Sequence, residues 1–202
     1  VSHMGFVTLG LFTLNQNGIE GGILQMINHG IITGALFLCI GMLYERTHSR
    51  MMEDYGGLSK TAPVFTVFFT IFTLAAIGLP GMNAFIGEFL IISGAFKANM
   101  IIAVFSILGV ILGVTYMVWL YYRVVLNEIN SGSQSEIFDL DWRETATLVP
   151  LVLLVLLIGV QPDLLLSYMH VSVEHLLEQL HNALHPESVL FKESVESIAQ
   201  YI

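Results

Sequence analysis

Charge is the scarcest commodity in this sequence. Lys, Arg, Asp and Glu together make up 11% of its 202 residues, against about 25% in soluble domains. A soluble fold needs polar side chains to cover its outside, and there are too few here. Cysteine is nearly absent: Cys39 stands alone inside an apolar run. An intrachain disulfide is thereby excluded, and the residue reads as a small buried hydrophobe. Basic residues number 7 against 16 acidic ones, so no basic patch supports a nucleic-acid partner. There is no Gly-rich phosphate loop, CxxC pair or nucleophile elbow, and so no local sign of nucleotide, iron–sulfur or acyl-transfer chemistry. Strand-type alternation and internal repeats are also missing.

What is present is apolar sequence. Hydrophobic residues make up 55% of the chain and the mean hydropathy is +0.76, with recurring apolar runs of about 18 residues or more. The fold class is therefore an all-α integral membrane protein. The net charge of −9 is concentrated in two loops and the C-terminal tail, where it reads as a solvated face.

Five apolar segments are expected, at 1–14, 20–44, 62–96, 100–122 and 145–167, with an amphipathic and partly helical tail over 169–202 after a membrane bundle over 1–168. "NQNG" (15–18) is a turn, and "KAN" (97–99) is a tight connection. The first segment has neither a cap nor a charged flank. "SHM" resembles a cloning scar, but the apolar helix continues through it. The sequence is read as the C-terminal part of a longer chain, entered in the middle of a membrane helix.

Positive charge sets sidedness. Arg46, Arg50 and Lys60 fall in one loop and Arg123 and Arg143 in another, while Lys97 alone marks the opposite ends. Both basic loops are expected on the cytoplasmic side, with the C-terminus outside. Trp119, Tyr121, Tyr122 and Trp142 fit an aromatic belt at the cytoplasmic interface.

The segment 62–96 is too long to be one span. Its length corresponds to roughly 50 Å of helix, against a hydrocarbon core of ~30 Å. It contains "GLPGMNAFIGEFL" (78–90). Pro80 removes an amide hydrogen and clashes with the preceding turn, while Gly78 and Gly81 tolerate open backbone. The helix is expected to break there, in a place shielded from lipid.

Three ionisable side chains reach similar depths from the outer face. Glu88 lies nine residues before Lys97 and His29 nine after Glu20, each roughly 13 Å in. His3 lies eleven residues before Leu14, roughly 16 Å in. Such groups in hydrocarbon usually face a bundle interior or water. Imidazole titrates near neutrality and can accept and pass on a proton. Burial favours the neutral form of a carboxyl, which makes it a second proton carrier. His3, His29 and Glu88 are the candidate proton-transfer residues. Asn28, Asn83, Ser2, Thr33 and Ser93 are candidates to hydrogen-bond them or hold water, and Gln25 sits one turn before His29. Broken mid-membrane helices recur in transporters. In the tail, the i,i+4 spacing of His181 and His185 fits a metal site less well than a solvated helix face.

"VSHMG", "QMINHGIITGALFLCIGMLYERTHSR", "YGGL" and "GLPGMNAFIGEF" together resemble the subunit M (mitochondrial chain 4) group of antiporter-like subunits of proton-pumping NADH:quinone oxidoreductase, respiratory complex I. The wider family includes Mrp-type cation/proton antiporters and membrane-bound hydrogenases, and several relatives carry lysine where Glu88 stands. The resemblance implies the C-terminal part of a 14-helix antiporter-like fold, running from helix 10 to beyond helix 14. It also implies that His3 and His29 belong to a central hydrophilic axis and that Glu88 is its terminal carboxylate on broken helix 12. The helix 5 glutamate and the helix 7 and 8 lysines of the family lie outside this sequence. The resemblance further implies membership of a redox enzyme without a redox site in this chain. NADH, FMN, iron–sulfur clusters and quinone would belong to other parts of the complex, and no cofactor or metal to this one. Neighbouring antiporter-like subunits and lipid are the implied partners, and a bacterial inner membrane the implied location. A cation/proton antiporter subunit, the equivalent subunit of a hydrogenase complex and a structural membrane subunit are the alternative readings.

Overall fold

The computed structural model describes residues 1–128 and 138–185. Eight α-helices follow one another: α1 (Ser2–Phe12), α2 (Gln16–Thr47), α3 (Leu58–Thr61), α4 (Pro63–Ala76), α5 (Asn83–Ala98), α6 (Met100–Tyr121), α7 (Trp142–Val160) and α8 (Asp163–Leu184). Among the described residues there is no β-strand. The chain is an all-α membrane protein. By length and hydropathy, three described helices suffice to cross a bilayer: Gln16–Thr47, Met100–Leu126 and Trp142–Val160.

Local chemistry explains several helix ends. Asn15 caps α2, its side-chain oxygen accepting from Gly18 N–H at 3.0 Å, and its amide donates to Gly94 O at 2.8 Å. One side chain thus starts α2 and ties it to α5. Asn99 ends α5 and caps α6, which is why "KAN" needs no loop. Asp141 and Glu144 form a capping box at the start of α7.

The segment 62–96 is divided as its length requires. Helices of 14 and 16 residues correspond to roughly 21 and 24 Å, each too short to cross alone. Between them Gly78 has φ +70° and Gly81 φ +92°, conformations that side chains with a Cβ resist. The turn satisfies part of its own backbone, with Leu79 N–H donating to Leu74 O at 3.1 Å and Met82 N–H to Leu79 O at 2.9 Å. Glu88 folds back onto the turn, so that a Cβ on Gly78 would lie 2.7 Å from Glu88 Oε2.

The remaining boundaries differ in two places. The expected segment 145–167 is two helices. Pro162 has no N–H with which to continue α7, and "QPD" turns the chain into α8. The boundary at 168/169 falls inside α8, and the tail beyond 185 lies outside the described residues, as does the middle of the 123–144 loop. Of the four belt aromatics, Trp119, Tyr122 and Trp142 are exposed. Tyr121 instead turns inward, stacking on Phe69 and sharing a 2.7 Å hydrogen bond with Thr70.

Helix α2 is the hub, touching α1, α4, α5, α7 and α8. Around one half of it lies an apolar core that includes Phe65, Phe69, Phe72, Leu58, Leu148 and Val155. Around the other half, α1, α2 and α5 meet through glycines. A Cβ on Gly94 would lie 2.6 Å from Gly18 Cα, and one on Gly10 would lie 3.2 Å from Gly22 Cα. This is the close backbone approach that small residues give membrane helices.

One clamp joins the two basic loops at the same end of the bundle. Arg46 forks onto Glu144 at 2.8 and 2.6 Å and donates to Phe138 O at 2.8 Å and Asp139 O at 3.2 Å. Asp139, so placed, accepts from Val64 and Phe65 N–H at 2.8 and 3.0 Å and caps α4 from a distant segment. Arg46→Met is expected to lower unfolding free energy by about 2 kcal/mol. Arg46→Lys, which keeps the charge but not the fork, should lose roughly half of that. Denaturant midpoints of the purified protein in detergent measure both, and unchanged midpoints would mean that the clamp contributes nothing to folding. Gly78→Ala should cost about 1–2 kcal/mol in left-handed backbone strain and also press on the Glu88 carboxylate. In a double-mutant cycle with Glu88→Ala, the pressing component should vanish, giving a coupling of about 1 kcal/mol. Simple additivity would show that the turn and the carboxylate are independent.

Candidate functional site

The three ionisable residues picked out by depth are brought together from three helices. His3 comes from the first turn of α1, His29 from the middle of α2, and Glu88 from α5 just beyond the break. Glu88 is 7% exposed. Its Oε1 lies 3.5 Å from His3 Nδ1 and accepts from Gln25 Nε2 at 3.3 Å. The rings of His3 and His29 have their centroids 5.9 Å apart, tilted by 37°. His29 Nδ1 is 3.1 Å from Thr33 Oγ1. The order in space is Glu88, His3, His29, Thr33.

A cavity of about 180 Å³ opens beside this row, lined by His3, Gln25, His29, Thr33 and Tyr116 together with apolar side chains. It is roomy enough for several waters, which need polar partners of the kind found here. A much smaller pocket, lined in part by Ser2, His3, Glu88 and Gly113, lies on the other side of His3. His3 therefore stands between the carboxylate and the larger cavity. Each imidazole can accept a proton on one nitrogen while giving one from the other, and one water spans a gap the size of that between the two rings. The arrangement can hold and pass protons.

The break residues Gly78, Pro80 and Gly81 lie between α4 and α5; a Cβ on Gly78 would press on Glu88, while one on Gly81 would meet open space. Several polar residues are placed differently from the expectation. Asn28 and Asn83 are fully buried but bind each other. Asn28 donates to Asn83 O at 2.7 Å, and Asn83 Nδ2 donates to Asn28 Oδ1 at 3.1 Å. Their task is to lock α2 to the start of α5. Ser93 accepts from Asn17 at 3.1 Å, away from the site. Thr33 alone of that group bonds one of the three residues, while Ser2 lines the smaller pocket.

Tyr116 was not foreseen. Its hydroxyl lies 3.4 Å from His3 Nε2, and in sequence it is camouflaged by the interfacial aromatics that follow it. Gly109, Gly113 and Tyr116 follow one another at spacings of four and then three residues, which places them on one face of α6 and was the available signal. Glu20, expected at the membrane boundary, is buried and bonds His170 Nδ1 of α8 at 2.8 Å as well as Gln16. His181 and His185 bring their rings to 4.9 Å. Among the described residues no group of three or more His, Cys, Asp or Glu is placed to hold a metal.

Both the sequence and the fold have relatives. Residues 1–114 match the family described as NADH:quinone oxidoreductase/Mrp antiporter, TM. The chain is 46% identical over 181 residues to NADH-quinone oxidoreductase subunit M of Rhodobacter capsulatus, a match covering 90% of this chain and 35% of that protein. It is 47% identical over 178 residues to NADH-ubiquinone oxidoreductase chain 4 of Marchantia polymorpha, covering 88% and 36%. The chain thus spans about a third of the length of these curated relatives. In structure it is similar to a chain of respiratory complex I from Thermus thermophilus, solved with bound NADH. There the TM-score is 0.81 and the identity 35%, over 87% of this chain and 37% of that one. A chain of the Mrp complex from Dietzia sp. shares the fold at TM-score 0.73 and 21% identity, over 88% of this chain and 41% of that one. With more than half of its residues matched, the chain belongs to the NADH:quinone oxidoreductase/Mrp antiporter transmembrane family.

Proposed function

We propose that this chain carries part of the proton path of a membrane subunit of NADH:quinone oxidoreductase. The observation that supports this most is the row Glu88–His3–His29, assembled from three helices, one of them the second half of the broken segment, beside a cavity lined in part by polar side chains. In this reading a proton enters from the cavity on His29, crosses to His3, and reaches Glu88. It leaves Glu88 when the local charge or hydration changes. The chain holds no redox step. NADH, FMN, iron–sulfur clusters and quinone act elsewhere in the complex, and coupling arrives through neighbouring antiporter-like subunits. The membrane is the inner membrane of a bacterium. The end bearing the Arg46 clamp faces the cytoplasm, because Arg46, Arg50, Lys60, Arg123 and Arg143 gather in its loops. The C-terminus then lies outside. The Mrp-type antiporter reading rests on a likeness of fold at 21% identity, against 46–47% for the oxidoreductase relatives, and is the weaker of the two.

The test uses the full-length subunit in its membrane complex, with electron transfer and proton uptake recorded in parallel. Glu88→Gln, which keeps shape but carries no proton, is expected to cut proton uptake by about a hundredfold, the lower end for a positioned proton-transfer group. His29→Ala should cost less, on the order of tenfold, because water can occupy the space it vacates. Both variants should assemble. Normal pumping in both would sink the proposal and leave these groups as buried structural polar residues.

A further inference from the structure

Helix α2 has two faces that carry glycine, and only one of them is covered. Gly18 and Gly22 meet α5 and α1 backbone to backbone. Gly30, Gly34 and Gly41 are exposed, and a Cβ on any of them would meet nothing within 4 Å. Their spacing places these three on one side of the helix, and one turn further on Glu45 joins the same line. Arg143, Thr147 and Leu151, one turn apart along α7, form the other wall of a groove of about 740 Å³. From Gly41 to Gly30 its floor runs eleven residues. That is roughly 16 Å, about the depth of one leaflet of a ~30 Å hydrocarbon core.

The charges lie at one end of the groove only. Glu45 and Arg143 are both exposed at its mouth, and among the described residues neither makes an ion pair. The other polar groups there are engaged. Glu144 is held by the Arg46 fork at 2.8 and 2.6 Å, and the Thr147 hydroxyl donates to Arg143 O at 2.9 Å. Arg143 lies 5.7 Å from the ring of Trp142, which is exposed as an interfacial anchor is. The mouth therefore offers one unpaired carboxylate and one unpaired guanidinium at the membrane surface, above a recess that is apolar further in. Phe37 and Leu38 stand out from the floor between Gly34 and Gly41, 68% and 40% exposed. They interrupt the flat small-residue face that a packed helix, ~10 Å across, would need, and they leave room for something narrower.

The geometry points to a site for a phospholipid of the phosphatidylethanolamine type, with its phosphate on Arg143, its ammonium on Glu45 and one acyl chain along the glycine floor between α2 and α7. A zwitterionic headgroup answers both charges at once, whereas an anionic one would leave Glu45 unpaired beside a like charge. The ammonium donates to the Glu45 carboxylate. The phosphate oxygens accept from the guanidinium, whose fork suits them. The acyl chain needs only apolar walls and the space that the missing Cβ atoms leave. None of these residues lines the cavity beside His29, so the site does not depend on the proton path.

The test places the complex holding the full-length subunit in nanodiscs that contain phosphatidylethanolamine with a photoactivatable group midway along one acyl chain. Labelled peptides are identified by mass spectrometry. Labelling is expected on the groove-lining parts of α2 and α7. It should exceed that from phosphatidylglycerol carrying the same chain by roughly threefold, the order of one exposed ionic contact. Glu45→Gln should remove that difference, and Arg143→Gln should lower labelling by both probes. Gly34→Leu, whose side chain enters open space, should assemble and reduce groove labelling severalfold. Equal labelling by the two probes, or groove labelling unchanged in Gly34→Leu, would overturn the site and leave only unselective contact with the bilayer. So would a crosslink from a photoreactive residue at position 34 to another protein segment, which would give the groove to a helix. Should Gly34→Leu fail to assemble, the comparison of the two probes in Glu45→Gln decides the question, because that position is exposed and outside the clamp.

Discussion

A carboxyl group and an open turn of backbone share one depth in the membrane, and neither is tolerable there without protein around it. The two needs are met by the same few residues. The turn between α4 and α5 bonds part of its own backbone, and its glycine at position 78 leaves room for Glu88 to fold back over it. Glu88 then takes a hydrogen bond from Gln25 and faces His3. A continuous helix through 62–96 would hold no such recess, and Glu88 would have to be satisfied on a plain helix face. The break is what makes the carboxyl affordable, and the carboxyl's partners are what fix α1 and α2 around the break.

That fixing depends on how closely the helices approach. Within a bilayer there is no hydrophobic gain from bringing apolar helices together, so packing distance and interhelical hydrogen bonds decide. Gly10, Gly18, Gly22 and Gly94 let α1, α2 and α5 meet backbone to backbone. Two polar contacts then set their register. Asn15 bonds Gly94 O near one end, and Asn28 and Asn83 bond each other near the middle. Gln25 and Glu88 lie between those two points along α2 and α5, so their contact has little freedom to slide. A site spread over three helices can in this way be held as firmly as one built on a single element.

Much of this was legible in the sequence, for identifiable reasons. Hydropathy runs and the "GLPG" breaker report local backbone chemistry, which is why the broken segment and most spans emerged directly. The depth of His3, His29 and Glu88 was readable because helical rise converts sequence distance into ångströms once one end is anchored. Rotation about each helix was not readable, and it decides contact. For that reason Asn28 and Asn83, at a suitable depth, were assigned to the ionisable groups when they in fact bind each other. Tyr121 was placed in an exterior belt although it faces Phe69. The split at Pro162 was missed because apolar sequence continues past it, and periodicity does not distinguish a bent pair of helices from one long one. Tyr116 and Glu20 depend on tertiary partners, His3 and His170, more than a hundred residues away in sequence.

Two histidine–carboxylate pairs among the described residues, His170–Glu20 and His3–Glu88, differ in ways that bear on proton transfer. His170 and Glu20 lie 2.8 Å apart, closer than the 3.5 Å between His3 and Glu88. By contact strength alone the first pair would be the better candidate. Yet the His170 side chain is 60% exposed, so any proton it holds exchanges directly with its surroundings, and its neighbour Gln16 is no proton carrier. That pair fastens α8 to α2. The His3 side chain is 22% exposed and has a second imidazole on its far side, a tyrosine hydroxyl beside it and a cavity lined in part by polar side chains next to all of them. Directed transfer needs a group that is shielded from bulk exchange and has a further carrier within reach. Only the pair at the broken helix meets both conditions among the described residues, and it does so through the looser contact.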